Sequence, residues 1–156
     1  FGMTKICENQ LIEWGDRIGT LIKPPAFFCL KGPLGSGKSV FARSIACGMG
    51  VKGPVASPTF NLLLTYSSTK GHQFVHLDLY RLNGPEDVWE LGWQELGDRN
   101  EVVVVEWAER AGDFLPENRW EIQFGFVENN DLLRTISIEK HGDPAAIPDL
   151  PYLITP

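Results

Sequence analysis

Lys38 and Ser39 close the stretch Gly32-Pro33-Leu34-Gly35-Ser36-Gly37-Lys38-Ser39, an order of residue types suited to holding a phosphate chain. Gly32, Gly35 and Gly37 open backbone conformations barred to other residues, so successive N–H groups can converge on phosphate oxygens. Lys38 brings a positive charge to the β/γ oxygens, and the Ser39 hydroxyl is a ligand type for Mg²⁺. The residues on either side fit the same reading. Ala26-Phe27-Phe28-Cys29-Leu30 is a short apolar run that predicts a buried strand. Val40 to Ala46 predicts a helix, apolar on one face, whose N-terminus points at the phosphates. Strand, loop and helix in this order imply a nucleotide-binding site running from Gly32 through Val40.

Binding alone hydrolyses nothing; hydrolysis needs a Mg²⁺ ligand on a neighbouring strand and a group that orients water. Val102-Val103-Val104-Val105-Glu106 is an apolar strand ending in a carboxylate, and Phe74-Val75-His76-Leu77-Asp78 repeats the pattern with a histidine inside. In an open α/β sheet, ligands lie beyond the carboxyl ends of parallel strands, where such acids project. The plainer alternatives are an ordinary strand-end acid at Glu106, an Asp78–Arg81 pair, and a satisfied strand histidine at His76. Pro58 restricts Ser57 to extended geometry and fixes its own φ, which holds Thr59 on a stiff turn. A hydroxyl held there can sense a γ-phosphate, or it can simply open a strand.

Several elements must position these groups. Leu11, Ile12, Trp14, Ile18, Leu21 and Ile22 are spaced for an amphipathic helix over residues 8–22, stopped by Lys23-Pro24-Pro25. Leu62 to Tyr66 and Gln73 to Leu79 predict strands. Pro85-Glu86-Asp87 opens a helix with Asn83 or Gly84 as cap and a body from Val88 to Leu96, with Trp89 and Trp93 on one face. Trp120–Val127 and Leu132–Glu139 alternate as an antiparallel hairpin. Residues 1–140 form one domain. Residues 141–156 hold four prolines without periodicity, which predicts a loose tail. The expected class is α/β, a mostly parallel sheet with antiparallel additions.

A net charge of −6 makes the chain a poor candidate for gripping nucleic acid alone. Cys7, Cys29 and Cys47 lack CxxC spacing, so neither a zinc site nor a disulfide framework is expected. No apolar run reaches membrane-spanning length, and a cytoplasmic location is expected.

Four features in sequence resemble the TsaE family of bacterial tRNA threonylcarbamoyladenosine synthesis. They are the loop, Ser57-Pro58-Thr59-Phe60, His76-Leu77-Asp78-Leu79-Tyr80-Arg81-Leu82, and Glu106-Trp107-Ala108-Glu109. The resemblance implies a P-loop NTPase fold, a three-layer sandwich, with bound ATP or ADP and Mg²⁺. It also implies slow intrinsic ATPase activity serving TsaB and TsaD, which modify adenosine 37 of tRNA. By position it implies phosphate contact for Lys38, Mg²⁺ ligation by Ser39 and Glu106, a switch role for Thr59 and a catalytic carboxylate at Asp78. Trp107, Glu109 and Glu8 match positions near the nucleotide. Ala108 departs from the family's frequent proline. A small-molecule kinase and a nucleotide-dependent interaction module without turnover are the rival readings. Neither a guanine-reading Asn/Thr-Lys-x-Asp element nor a basic lid between Asp78 and Val102 is present.

Overall fold

The computed structural model describes residues 3–55, 63–97 and 100–150. Its strands are β1 (Thr4–Cys7), β2 (Ala26–Lys31), β3 (Leu63–Ser67), β4 (Gln73–Asp78), β5 (Glu101–Glu106), β6 (Arg119–Val127) and β7 (Asn130–His141). The helices are α1 (Glu8–Leu21), α2 (Lys38–Gly48) and α3 (Pro85–Trp89), with 3₁₀ segments at Trp93–Glu95 and Ala108–Phe114. One sheet runs β1-β7-β6-β2-β5-β4-β3. Strands β6, β2, β5 and β4 are parallel, while β7, β1 and β3 add antiparallel edges.

The apolar runs of β2 and β5 follow from cover on both faces. Phe28, Leu30, Val102 and Val104 face α1 and α2, with Trp14 stacked on Phe41 at 5.0 Å. Phe27, Cys29, Val103 and Val105 face α3 and the 3₁₀ segments, where Val88 and Trp93 are buried. Burial pushes the Cys29 thiol up to about 12, so it packs as an inert apolar group. Helices α1 and α2 meet backbone to backbone. A Cβ at Gly19 would lie 2.0 Å from the Ile45 carbonyl oxygen, and one at Gly48 2.0 Å from that of Asp16.

Three expectations change. The helix expected from Pro85 through a body to Leu96 ends at Trp89, and Gly92, with a left-handed φ of 80°, turns the chain into the 3₁₀ segment Trp93–Glu95. Trp89 and Trp93 therefore do not share a helix face. Trp93 is buried against Phe27 and donates to the Phe114 carbonyl at 2.8 Å, whereas Trp89 is exposed beside Phe114. The chain after His141 is not loose as far as Leu150. Trp120 and Trp14 donate their indole N–H groups to the carbonyls of Ala145 at 2.7 Å and Pro148 at 3.0 Å, and Ile147 and Leu150 pack on the α1–α2 core. β1 was not expected; it exists through pairing with β7. Among the described residues no helix is long and apolar enough to cross a membrane.

On the face opposite α1 and α2, β6 presents Glu121, which accepts hydrogen bonds from Lys31 and from Arg119 Nε at 2.9 Å, with His141 Nε2 at 2.8 Å. Burial pushes this carboxyl up, but the Lys31 and Arg119 hydrogen bonds outweigh it and hold the pKa below the ordinary glutamate value. The ionised form thus contributes stability above that value, and the contribution drains away as pH falls through the folded pKa. Glu121→Gln is expected to lower Tm at pH 7, with the deficit narrowing on acidification. Melting curves across pH test this; a deficit constant with pH would assign the loss to packing.

Candidate functional site

The strand order sets the carboxyl ends of β2, β5 and β4 side by side, and residues 32–37 cross above them from β2 into α2. Gly32, Gly35 and Gly37 take φ values of 144°, 80° and 108°, as the motif demands. Gly32 has a second reason to lack a side chain. A Cβ there would sit 2.6 Å from the Phe124 carbonyl oxygen, so the loop runs too close to β6 for any other residue. The Phe41 N–H reaches the Gly37 carbonyl at 3.0 Å, the first bond of α2. The N–H groups of Lys38, Ser39 and Val40 therefore lack intrahelical acceptors, and this end of α2 suits an anion.

A cavity of about 670 Å³ opens in front of this helix end. Leu34 through Val40 line it, together with Asp78 from β4, Glu106 from β5, Trp107 and Glu8. The Ser36 hydroxyl is buried against Gly32 without a hydrogen-bond partner among the described residues. Gly32 and Pro33 lie outside the lining and act through their carbonyls, which accept from Lys38 Nζ, the second at 3.4 Å. Glu109 does not line the cavity; it is exposed and touches the site only through its charge on Lys38. Thr59, with Ser57, Pro58 and Phe60, lies outside the described residues.

Burial pushes the Lys38 ammonium below its ordinary pKa, against the opposing charges of Glu106, Glu109 and Asp78. Its Nζ also stands 4.2 Å from the centre of the Trp107 ring. Trp107 holds a left-handed φ of 58°, rare for a bulky residue, and its ring meets Tyr80 at 4.9 Å. Ser39 Oγ donates to Glu106 Oε1 at 3.0 Å. Glu106 is only 3% exposed, and its Oε2 lies 2.6 Å from His76 Nε2. Asp78 is the register partner of Glu106 and accepts from the Tyr80 N–H at 2.9 Å. Burial raises the Asp78 pKa; the Tyr80 N–H opposes the shift and the charge on Glu106 adds to it.

Sequence reasoning missed the far wall of this cavity. Ile6, Cys7 and Asn9 come from the β1–α1 junction, and Asp131, Leu132 and Arg134 from the β6–β7 hairpin. Arg134 reaches the loop at the Gly35 carbonyl, 3.4 Å away. The available signal was the alternation in Thr4-Lys5-Ile6-Cys7, too short to be read before its partner strand was known.

Residues 6–135 match the family model described as threonylcarbamoyl adenosine biosynthesis protein TsaE. The chain belongs to the TsaE family. Among similar proteins is one from Treponema pallidum, 38% identical over 67% of this chain and 76% of its own length. Another, from Streptomyces coelicolor, is 32% identical over 90% of this chain and 97% of its own. Both are named tRNA threonylcarbamoyladenosine biosynthesis protein TsaE. The fold matches the crystal structure of YdiB from Bacillus subtilis with a TM-score of 0.68 at 24% identity, covering 90% of this chain and 87% of that one. Family and fold together make this TsaE-family chain a nucleotide-binding protein of the P-loop NTPase class.

A nucleotide that draws Lys38 toward its phosphates lifts the ammonium from the indole face, so the emission of Trp107 should change on titration with ADP. Because the chain has five tryptophans, Trp107→Phe must be titrated alongside. The response is expected to vanish in that variant, and a full response there would place the reporting indole elsewhere.

Proposed function

We propose that this chain is the Mg²⁺-dependent ATPase of tRNA adenosine 37 threonylcarbamoylation, working with TsaB and TsaD. The observation that carries the reading is the Ser39–Glu106 contact beside the phosphate loop. Ser39 Oγ and the Glu106 carboxylate form a hydrogen-bonded pair at 3.0 Å, which brings two oxygen groups of the kind that would hold Mg²⁺ together beside the phosphate loop. Their oxygen chemistry also fits a hard cation. Among the described residues no group of three or more His, Cys, Asp or Glu side chains is arranged to hold a metal. Mg²⁺ uses one or two protein oxygens and fills its shell with phosphate and water.

Bound there, Mg²⁺ would neutralise charge on the β- and γ-phosphate oxygens. In this reading Lys38 and the N–H groups at the head of α2 bind the phosphates. Ser39 and Glu106 hold the cation. Asp78, on the strand beside Glu106, orients the attacking water and accepts its proton, a task helped by a pKa raised through burial. Thr59 is the proposed γ-phosphate sensor, and Glu8 and Trp107 flank the nucleotide. Adenine is the proposed base.

The names of the similar proteins support the tRNA pathway. The net charge of −6 is in keeping with tRNA being reached through the complex rather than by this subunit alone. A nucleotide drives another protein's cycle only by binding one conformation better than another, so the ATP and ADP states are expected to differ in affinity for TsaB–TsaD.

Lys38→Ala removes a charge-assisted contact of about 1.5–3 kcal/mol, so calorimetry should show ATP affinity reduced by about ten- to hundredfold. Unchanged affinity would remove the loop assignment. Reconstitution with TsaB and TsaD tests the larger claim. Hydrolysis should be slow alone and faster with the pair, and Asp78→Ala should fold normally yet abolish repeated rounds of tRNA modification. Full cycling without this subunit, or with Asp78→Ala, would end the proposal.

A further inference from the structure

His76 has a place that packing does not explain. It is fully buried in β4, on the face it shares with Phe74, whose ring centre is 6.0 Å away. Its register partners, Leu64 in β3 and Val104 in β5, are apolar, yet the imidazole carries two polar nitrogens between them. Only one is used: Nε2 lies 2.6 Å from Glu106 Oε2, while Nδ1 has no hydrogen-bond partner among the described residues. An unpartnered buried nitrogen costs free energy that an apolar side chain of similar size would avoid. Glu106 is what the histidine gains.

The contact is diagonal. Glu106 stands opposite Asp78 in register, and His76 reaches it from two residues earlier on the same face of β4. Ser39 Oγ lies 3.0 Å from Oε1 and 3.3 Å from Oε2, and His76 Nε2 lies 2.6 Å from Oε2, so donors from α2 and β4 hold the carboxylate at both oxygens. Only a protonated Nε2 can serve a carboxylate acceptor, and both the imidazolium and one neutral tautomer provide it.

We propose that His76 is a positioning residue for the cation site: it holds Glu106 Oε2 so that Oε1 faces Ser39 and the Mg²⁺ position between them. This rests on the reading of Ser39 and Glu106 as Mg²⁺ ligands. Groups that hydrogen-bond a metal ligand from behind commonly change metal affinity ten- to hundredfold when removed. His76 therefore acts on the Mg²⁺-dependent part of nucleotide binding and leaves the phosphate loop untouched.

The test is ATP affinity of the full chain by calorimetry, first in EDTA and then across a Mg²⁺ titration, with kcat followed separately. His76→Leu removes the donor, His76→Asn keeps a polar group too short to reach Glu106, and His76→Gln restores an N–H near the Nε2 position. In EDTA all three should bind ATP within about twofold of the parent, since the loop is intact. Half-saturating Mg²⁺ should rise about ten- to hundredfold in the leucine and asparagine variants, and return most of the way in the glutamine variant. Should the leucine variant not fold, the asparagine and glutamine pair carries the comparison, with thermal melting confirming that both are native. Unchanged Mg²⁺ dependence in the asparagine variant overturns the proposal. So does an equal loss in the asparagine and glutamine variants, which would make the histidine a matter of shape. A parent protein whose ATP affinity ignores Mg²⁺ would instead overturn the metal reading of Ser39 and Glu106, a failure visible before any variant is made.

Discussion

A carboxylate only 3% exposed must find protein donors in place of the water it has lost, and that requirement at Glu106 shapes the architecture around it. One donor is Ser39, the second residue of α2; another is His76, in the middle of β4. The head of α2 must therefore stand over the end of β5, and β4 must lie next to β5 in one register. The order β2-β5-β4 meets both conditions, with Leu30 and Asp78 on either side of Glu106. Backbone bonds then close the strand ends. Trp107 N–H donates to the Leu30 carbonyl at 3.2 Å and Leu79 N–H to that of Glu106 at 3.1 Å. Loop, acid and neighbouring acid thus meet where parallel strands end, as ligands in open α/β sheets require.

Such precision needs α2 to be held along its whole length. The glycine contacts at Gly19 and Gly48 bring α1 and α2 so close that neither can slide without a backbone clash. The segment around Ala145 and Pro148 adds to this from outside, pinned by the indoles of Trp120 on β6 and Trp14 on α1. Because α1 also carries the Cys7–Glu8 end of the cavity wall, the contacts that seat α2 seat that wall as well. The opposite side of the sheet is covered by shorter pieces, α3 and two 3₁₀ segments, and on β6 that face turns polar at Glu121.

What was legible in the sequence is what depends on neighbours along the chain. The phosphate loop, β2, β5, α1 and the hairpin follow from local spacing, and the structure places them as read. The misreadings share a cause. β1 is four residues long and is a strand only because β7 pairs with it. The helix begun at Pro85 ends at Trp89, and the left-handed Gly92 sends Trp89 and Trp93 to different environments. Residues 143–150 lack any repeat but find carbonyl acceptors' partners in two distant tryptophans. In the structure, Ser39, Asp78, Glu106 and Trp107 line one cavity, while Glu109 stays exposed and the hairpin wall depends on a register no local pattern encodes. The pattern of β4 fits an ordinary strand histidine at His76; only the distance to Glu106 shows which carboxylate its Nε2 reaches.

The charges at the site are incompletely matched by the protein's own groups. Lys38 touches neutral partners, two carbonyls and an aromatic face, and burial lowers its pKa despite three carboxylates that favour its charge. Exchanging those carbonyls for phosphate oxygens replaces neutral hydrogen bonds with charge-assisted ones, roughly twice as strong. Asp78 has the converse problem. Burial and the nearby Glu106 both raise its pKa, so an anionic phosphate arriving alone would add repulsion to an acid pair already opposed. A divalent cation held by Glu106, as proposed, would reverse the sign of that interaction, because it would be the largest charge in the site. On the proposed reading, anion and cation would favour each other's binding here, coupled through the short chain from Lys38 through Ser39 to Glu106 and His76.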